Sequence, residues 1–157
     1  NNNVIGFGGR ALTQNYLAKY INSPETEFFK KGYNLYNLNN AKTENKQSGI
    51  VFVVEGYMDA ISLYQAGFKN VVATLGTAMT ESHLNLIWRY FNDPVVCFDG
   101  DRSGQNAAHK ISEKLIAHMK PNYSLSFLIL PSGFDPDSFV RKNGRNNFET
   151  LLDQKIE

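Results

Sequence analysis

From Ile50 onward the chain alternates short, unbroken apolar runs with amphipathic stretches, and this alternation leaves few folds open. Four runs read as buried strands: "IVFVVE" (50–55), "NVVATLG" (70–76), "PVVCFD" (94–99) and "LSFLIL" (125–130). Runs this continuously apolar belong to a sheet covered on both faces. Helical segments lie between them. "YMDAISLYQAG" (57–67) stops at Gly67, and "TESHLNLIWRYF" (80–91) starts with Thr80 as N-cap and gathers Leu84, Ile87, Trp88 and Phe91 into one stripe. "SGQNAAHKISEKLIAHMK" (103–120) sets Ala108, Ile111, Leu115 and Met119 on one face. "DPDSFVRKNG" (135–144) and "RNNFETLLDQ" (145–154) are helical in pattern. The pattern predicts an α/β domain, an open and mainly parallel sheet with helices on both faces. Before it, "NAKTENKQSG" (40–49) is polar without an apolar period and reads as a loop or linker.

In such a sheet, ligands bind beyond the carboxyl ends of the strands. The first strand ends in Glu55-Gly56 and the third in Asp99-Gly100-Asp101, and the fourth is followed after a short loop by Asp135-Pro136-Asp137. Asp59, one turn into the first helix, leans back toward the same edge. Gly100 lets the chain turn so that Asp99 and Asp101 can converge. Carboxylates crowded in this way repel one another unless cations join them. Hard divalent ions suit all-oxygen donors, and Mg²⁺ (or Mn²⁺) keeps water positions open for a phosphate. Paired carboxylate-bound ions orient the attacking and leaving oxygens of phosphoryl-group displacement. Taken singly, each acid has a plainer reading as a turn residue, a helix start at proline, or a surface charge. Their joint placement after separate strands carries the site reading. A calcium loop starting at Asp99 is excluded, because its twelfth position is Lys110 and not the bidentate Glu that such a loop requires.

Composition bounds the rest. A chain of 157 residues that is 42% hydrophobic and 20% charged suits one ordinary globular domain with a core. No apolar run approaches the roughly 20 residues of a membrane helix, and no signal peptide is visible, so a cytoplasmic location is expected. Cys97 is the only cysteine, which rules out an internal disulfide and a cysteine-rich zinc site, and its apolar neighbours predict a buried, inert thiol. The absence of an initiator methionine points to an excised piece. Residues 1–48 carry six Lys/Arg against three acids, whereas the remainder carries ten against twelve. In this basic arm Arg10, Lys19, Lys30 and Lys31 lie among Tyr16, Tyr20, Phe28, Phe29, Tyr33 and Tyr36. Basic groups can track phosphates while aromatics stack bases; alternatively the aromatics are the core of a small subdomain. "GFGGRA" (6–11) fits a relaxed dinucleotide fingerprint, but no second buried strand follows until residue 50, so that reading is rejected. His83, His109 and His118 read as structural or surface residues. Arg102 either meets a phosphate or offsets the adjoining acids.

The combination "EGYMDA" (55–60), "DGDRSG" (99–104) and "DPDSFVRKNG" (135–144) resembles the TOPRIM domain of primases, topoisomerases and some nucleases. "VIGFGGRAL" (4–12), "KYINSPET" (19–26), "FKKGYNLYNL" (29–38) and "TLGTAMT" (74–80) are similar to the matching segments of bacterial replicative primases of the DnaG type, in the same order along nearly the whole chain. The resemblance implies Glu55, Asp99 and Asp101 as the core catalytic and metal site, Asp135 and Asp137 as further metal ligands, and Asp59 as a supporting residue. It implies nucleic-acid or nucleotide contacts for Arg10, Lys19, Asn22, Ser23, Lys31 and Arg102. The activity implied is RNA primer synthesis on a single-stranded DNA template: an NTP is joined to a growing RNA primer with Mg²⁺ or Mn²⁺ and, in this stretch, no zinc. A TOPRIM nuclease or an inactive nucleic-acid-binding module is the alternative.

On this resemblance, residues 1–48 are part of the basic N-terminal subdomain of a primase catalytic core. Residues 49–134 are the TOPRIM core, and 135–157 its end and the start of a helical part. The zinc module, the upstream half of the polymerase core and the helicase-contacting domain are expected to lie outside this sequence. The chain alone is therefore expected to fold but to make no primers at a useful rate.

Overall fold

The computed structural model describes residues 3–12, 20–44 and 49–156. Strand–helix alternation from residue 50 builds the body. β3 (Ile50–Val54), β4 (Val71–Ala73), β5 (Asp93–Phe98) and β6 (Ser126–Ile129) form one parallel sheet in the order β4-β3-β5-β6. Before them, β1 (Gly8–Arg10) and β2 (Tyr20–Asn22) pair as a separate antiparallel ribbon, and α1 (Leu38–Glu44) follows. The remaining helices are α2 (Tyr57–Gln65), α3 (Glu81–Ile87), α4 (Arg102–Ile116) and α5 (Pro136–Leu151), the last continued by a 3₁₀ turn at Leu152–Gln154.

Successive strand residues point to opposite faces, and each face has its own core. Val51, Val53, Val96 and Phe98 pack with Leu84, Ile87 and Trp88 of the α3 region and with Ala108, Ile111 and Leu115 of α4. Phe52, Val54, Val95 and Cys97 pack with Ala60 and Leu63 of α2 and with Phe139, Val140 and Phe148 of α5. Phe148 is fully buried and meets Phe52 and Phe68 with ring centroids 5.7 and 5.1 Å apart. Removing such a ring costs about 3–5 kcal/mol. Helices on both faces of a parallel sheet are what the continuous apolar runs required. Cys97 is the penultimate residue of β5, at 1% exposure, and burial pushes its thiol far up.

Several expectations need correction. The stretch 40–49 is not wholly loop: α1 covers 38–44, and Ala41 is fully buried against the α3 side. This helix offers the core mainly one small side chain, so no apolar period announces it. Met119 does not join the α4 face; the helix ends at Ile116 and Met119 is 39% exposed. α4 also starts earlier than expected, with Asp101 as its N-cap. The boundary between the two C-terminal helical segments is real and falls at Gly144 (φ 78°), where α5 kinks.

His83 is structural, as expected, though its contacts could not be foreseen. It is fully buried at the third position of α3. Its Nδ1 accepts from the Thr80 N–H at 3.3 Å, and Nε2 lies 2.7 Å from the Lys31 carbonyl, which fixes the neutral, Nε2-protonated ring. Burial holds its pKa below the usual 6.5. Tyr36 adds a second link between the N-terminal residues and the body, exchanging backbone hydrogen bonds with Ala73 along the outer edge of β4. No helix among the described residues is long and apolar enough to cross a membrane.

Candidate functional site

The acids are delivered by the strand ends. Glu55 follows β3, Asp99 follows β5, and Asp135 follows the turn that leaves β6. Glu55, Asp59, Asp99, Asp135 and Asp137 line one cavity of about 320 Å³, and Asn22 of β2 lines it from the ribbon side. Asp101 lies beside this cavity rather than in its wall, near enough to Glu55 to raise its proton affinity.

The "DGDRSG" motif is a packing device as well as a charge cluster. A methyl group at Gly100 would stand 2.0 Å from the Pro131 carbonyl oxygen, and one at Gly104 would stand 2.1 Å from that of Asp99. Gly100 does not have a left-handed φ. It is needed for close backbone approach and not, as the sequence suggested, for an unusual turn; its N–H donates to the Phe134 carbonyl at 2.9 Å. Asp101 caps α4 by accepting from the Gly104 N–H at 2.7 Å, which commits its Oδ1. Asp135 caps α5 in the same way, accepting from the Ser138 N–H, with Pro136 in the first turn. The plain reading of that motif as a helix start therefore holds alongside its place in the cavity.

Crowding shows in proton affinity. Asp99 is pushed up to about 6 by burial and then by Glu55, Asp135 and Asp101. Asp59 is also pushed up to about 6, chiefly by burial and further by Asp135 and Asp99, against hydrogen bonds from the backbone N–H groups of Asp137 and Gly56. Glu55 is raised by burial and by Asp101. The Asp137 carboxylate has partners of its own: its Oδ1 accepts from Ser62 Oγ and pairs with Arg141 Nε at 2.5 Å. Among the described residues, no three His, Cys, Asp or Glu side chains are disposed to chelate one ion as they stand.

The basic residues are less gathered. Arg10 stands over the Tyr20 ring at 5.9 Å, beside the ribbon's contact with the acidic cavity. Asn22 Nδ2 donates to the Leu75 carbonyl at 3.1 Å. The Ser23 hydroxyl is turned to the Phe7 N–H at 2.9 Å. The Lys31 N–H donates to Glu25 Oε1 at 2.9 Å, and its side chain is not in the cavity wall. Arg102 opens α4 as an exposed residue. Lys19 and Tyr16 lie outside the described residues. Of the arm's described aromatics only Phe29 is buried (5%), whereas Phe28 and Tyr33 are exposed.

Sequence reasoning missed three features. Tyr57 packs edge-on against Tyr20, with ring centroids 5.7 Å apart, and leans on Tyr36. Leu75 takes a left-handed φ of 64° in the cavity wall, a conformation that costs a non-glycine residue of order 1 kcal/mol and clusters at functional sites. The third feature is the pair Ser62–Arg141. Arg141 had a sequence signal, standing four residues after Asp137 on a helix, and Ser62 had none.

Two family models match the chain: Toprim-like over residues 52–140, and the N-terminal domain of the DNA primase catalytic core over residues 1–42. The chain is 46% identical to the DNA primase of Escherichia coli (strain K12) over 153 residues, which is 98% of this chain and 26% of that protein. Among solved structures it is similar to a DNA primase domain from Pseudomonas aeruginosa, with a TM-score of 0.90, 43% identity, and coverage of 97% of this chain and 47% of that one. It is also similar to a DnaG primase catalytic domain bound to single-stranded DNA, with a TM-score of 0.89, 45% identity, and coverage of 98% and 49%. The chain thus spans about a quarter of the curated relative and about half of each solved chain.

Proposed function

The chain belongs to the Toprim-like family, on its bacterial DNA primase side, and from that premise we propose that its acidic edge is the nucleotidyl-transfer centre of a primase. There a ribonucleotide 3′-hydroxyl gives up its proton and attacks the α-phosphate of an incoming NTP, on a single-stranded DNA template; the new phosphodiester bond forms as the α–β phosphoanhydride bond breaks and pyrophosphate leaves, and the RNA primer for replication grows by one nucleotide. The observation that carries this reading is the crowding of acids from three separate loops into one cavity.

Toprim primases are in general metal-dependent. The residues present suit a hard divalent cation: the cavity's charged donors are all carboxylate oxygens, and the proton affinity of Asp59 and Asp99 is raised by burial and by neighbouring carboxylates, with no ion-pair partner for either among the described residues. Mg²⁺ or Mn²⁺ would be held by Glu55, Asp99 and Asp101, with Asp135 and Asp137 as further ligands. When bound, such an ion stabilises charge on the attacking and leaving oxygens.

The chain's own residues do the remaining work. Asp101 offers Oδ2, because Oδ1 is spent on the cap. Asp59 accepts from the Asp137 N–H at 3.2 Å and so holds the start of α5 against the edge. Tyr57 and Leu75 wall the cavity from the ribbon side. Arg10 and Asn22, with Lys19, Ser23, Lys31 and Arg102, are the residues we assign to nucleotide, template and primer. Positioning of this kind supplies much of the rate in phosphoryl transfer. The helicase and the zinc module would act through regions outside this sequence, in the cytoplasm.

The test is a crystal soaked with Mn²⁺ and an NTP. Anomalous peaks between Glu55 and Asp99/Asp101 are expected, with the triphosphate alongside. Mn²⁺ bound only elsewhere on the protein would overturn the assignment.

A further inference from the structure

Among the described residues, Asp137 is the only acid of the cavity wall that is held in an ion pair. Its Oδ1 serves Ser62 Oγ and Arg141 Nε, and Arg141 Nη2 reaches Ser62 Oγ at 3.4 Å. The three groups bridge α2 to α5. Ser62 is 4% exposed, whereas the Arg141 side chain is 60% exposed. An exposed Asp–Arg pair one helical turn apart adds little to stability. Here it does something else: it draws on the charge of a carboxylate that lines the cavity. The backbone of Asp137 is itself pinned, its N–H donating to Asp59 Oδ1, so the residue is placed at the edge but its charge is turned toward the guanidinium.

We propose that Arg141 is a positioning residue that holds Asp137 in reserve, so that Asp137 joins a divalent cation in this cavity only when Arg141 releases it. This rests on the metal reading of the acidic edge. The physics is competition for one carboxylate. A guanidinium bonded to Oδ1 neutralises part of the charge that a cation at Oδ2 would feel, and it repels that cation directly. Release is cheap, because the freed guanidinium lies at the surface and passes into water. The cavity therefore has two unlike sides. Among the described residues Glu55 and Asp99 are in no ion pair, and Asp137 is paired with Arg141.

The test is Mn²⁺ titration of the chain, followed by calorimetry and by the spin-resonance signal of free Mn²⁺. Arg141→Gln should tighten Mn²⁺ binding by on the order of three- to tenfold, from the loss of one nearby positive charge. Arg141→Lys should return most of the wild-type affinity. Ser62→Ala removes the other holder of Oδ1 and should shift affinity the same way by less, which keeps the question decidable if Arg141→Gln folds poorly. Asp137→Asn should weaken binding, and in that background Arg141→Gln should give no gain. A gain that persists with Asp137→Asn would show that Arg141 acts through its general field, and unchanged affinity in both Arg141→Gln and Ser62→Ala would show that it holds nothing back; either overturns the proposal. A wild-type chain with no saturable Mn²⁺ binding would overturn the metal reading itself, and this inference with it.

Discussion

The acidic edge and the N-terminal ribbon face each other across one cavity, but they are built in opposite ways. Every acid of the edge hangs from a strand end or helix start anchored in the double core, where Val51, Val53, Val95 and Phe98 are at most 1% exposed. The ribbon has no such anchor among its described residues: Tyr20 is 42% exposed and Ile21 61%. It is tied to the body by single contacts, such as Asn22 to the Leu75 carbonyl and the Tyr20–Tyr57 ring pair. The staple of His83 to Lys31 ties down the segment that follows it. A site that must hold like charges together needs a rigid frame, because repulsion would otherwise spread them. A surface that follows a long, variable polymer needs shape and charge but little rigidity.

The largest effect should come from breaking the rigid side chemically. In a full-length primase carrying this sequence, Glu55→Gln or Asp99→Asn should lower primer synthesis on the order of a thousandfold. Residues 1–157 alone should fold and yet give no primers with template, Mg²⁺ and four NTPs. Robust synthesis by the chain alone would show that this edge suffices without further template contacts.

Next in size is the staple. His83→Ala leaves the Thr80 N–H and the Lys31 carbonyl unpartnered. It should lower unfolding free energy by about 2–4 kcal/mol. Urea unfolding measures that loss, and Mn²⁺ affinity at the acidic edge should stay near wild type if the two regions are mechanically separate. Equal loss of both would merge them.

The two regions should also answer pH with opposite signs. Without divalent cation, Asp59 and Asp99 have pKa values raised from 3.8 to about 6. Their stabilising contribution is fully present below pH 3.8 and is lost as pH rises through about 6. His83 is pushed below 6.5, so its contribution is present above that value and is lost as pH falls. Asp99→Asn should raise the metal-free melting temperature by a few degrees at pH 7.5 and hardly change it at pH 4. Added Mg²⁺ should raise it for wild type at pH 7.5 and much less for Asp99→Asn. His83→Gln should flatten the decline between pH 7 and pH 5. Melting curves across this range check all three, and a profile indifferent to both substitutions would remove the contrast.

The smallest effect concerns the ribbon's charges. Arg10→Glu should weaken single-stranded DNA binding a few-fold at low salt and reduce its salt dependence, as expected when a phosphate contact and its released counterion are lost. Lys19→Glu should act alike. Fluorescence anisotropy against salt concentration measures this, and unchanged binding would take the residue off the nucleic-acid path.

The sheet and the convergence of acids were legible because both follow from period and position. Four apolar runs can be buried only as strands, and acids at their ends must share an edge. What stayed hidden depends on partners distant in sequence. Nothing near Ser62 points to Asp137, 75 residues away, and nothing near His83 points to Lys31, 52 residues away. α1 escaped because Ala41 is too small to mark a stripe. Asp101 was read for its charge alone, though the same carboxylate also starts a helix.

Cys97 has a consequence for measurement. The sole thiol lies near the C-terminal end of β5, sealed by both the sheet and the α2–α5 layer, with its pKa driven up by burial. Maleimide dyes react with exposed thiolates and should pass it by. A cysteine introduced at Leu12 beside the ribbon, which is 93% exposed, and a second at the exposed Glu113 on α4 would be the two reactive thiols in a chain otherwise left native. A donor–acceptor pair attached there would report the distance between ribbon and body in single molecules, with no background label inside the fold.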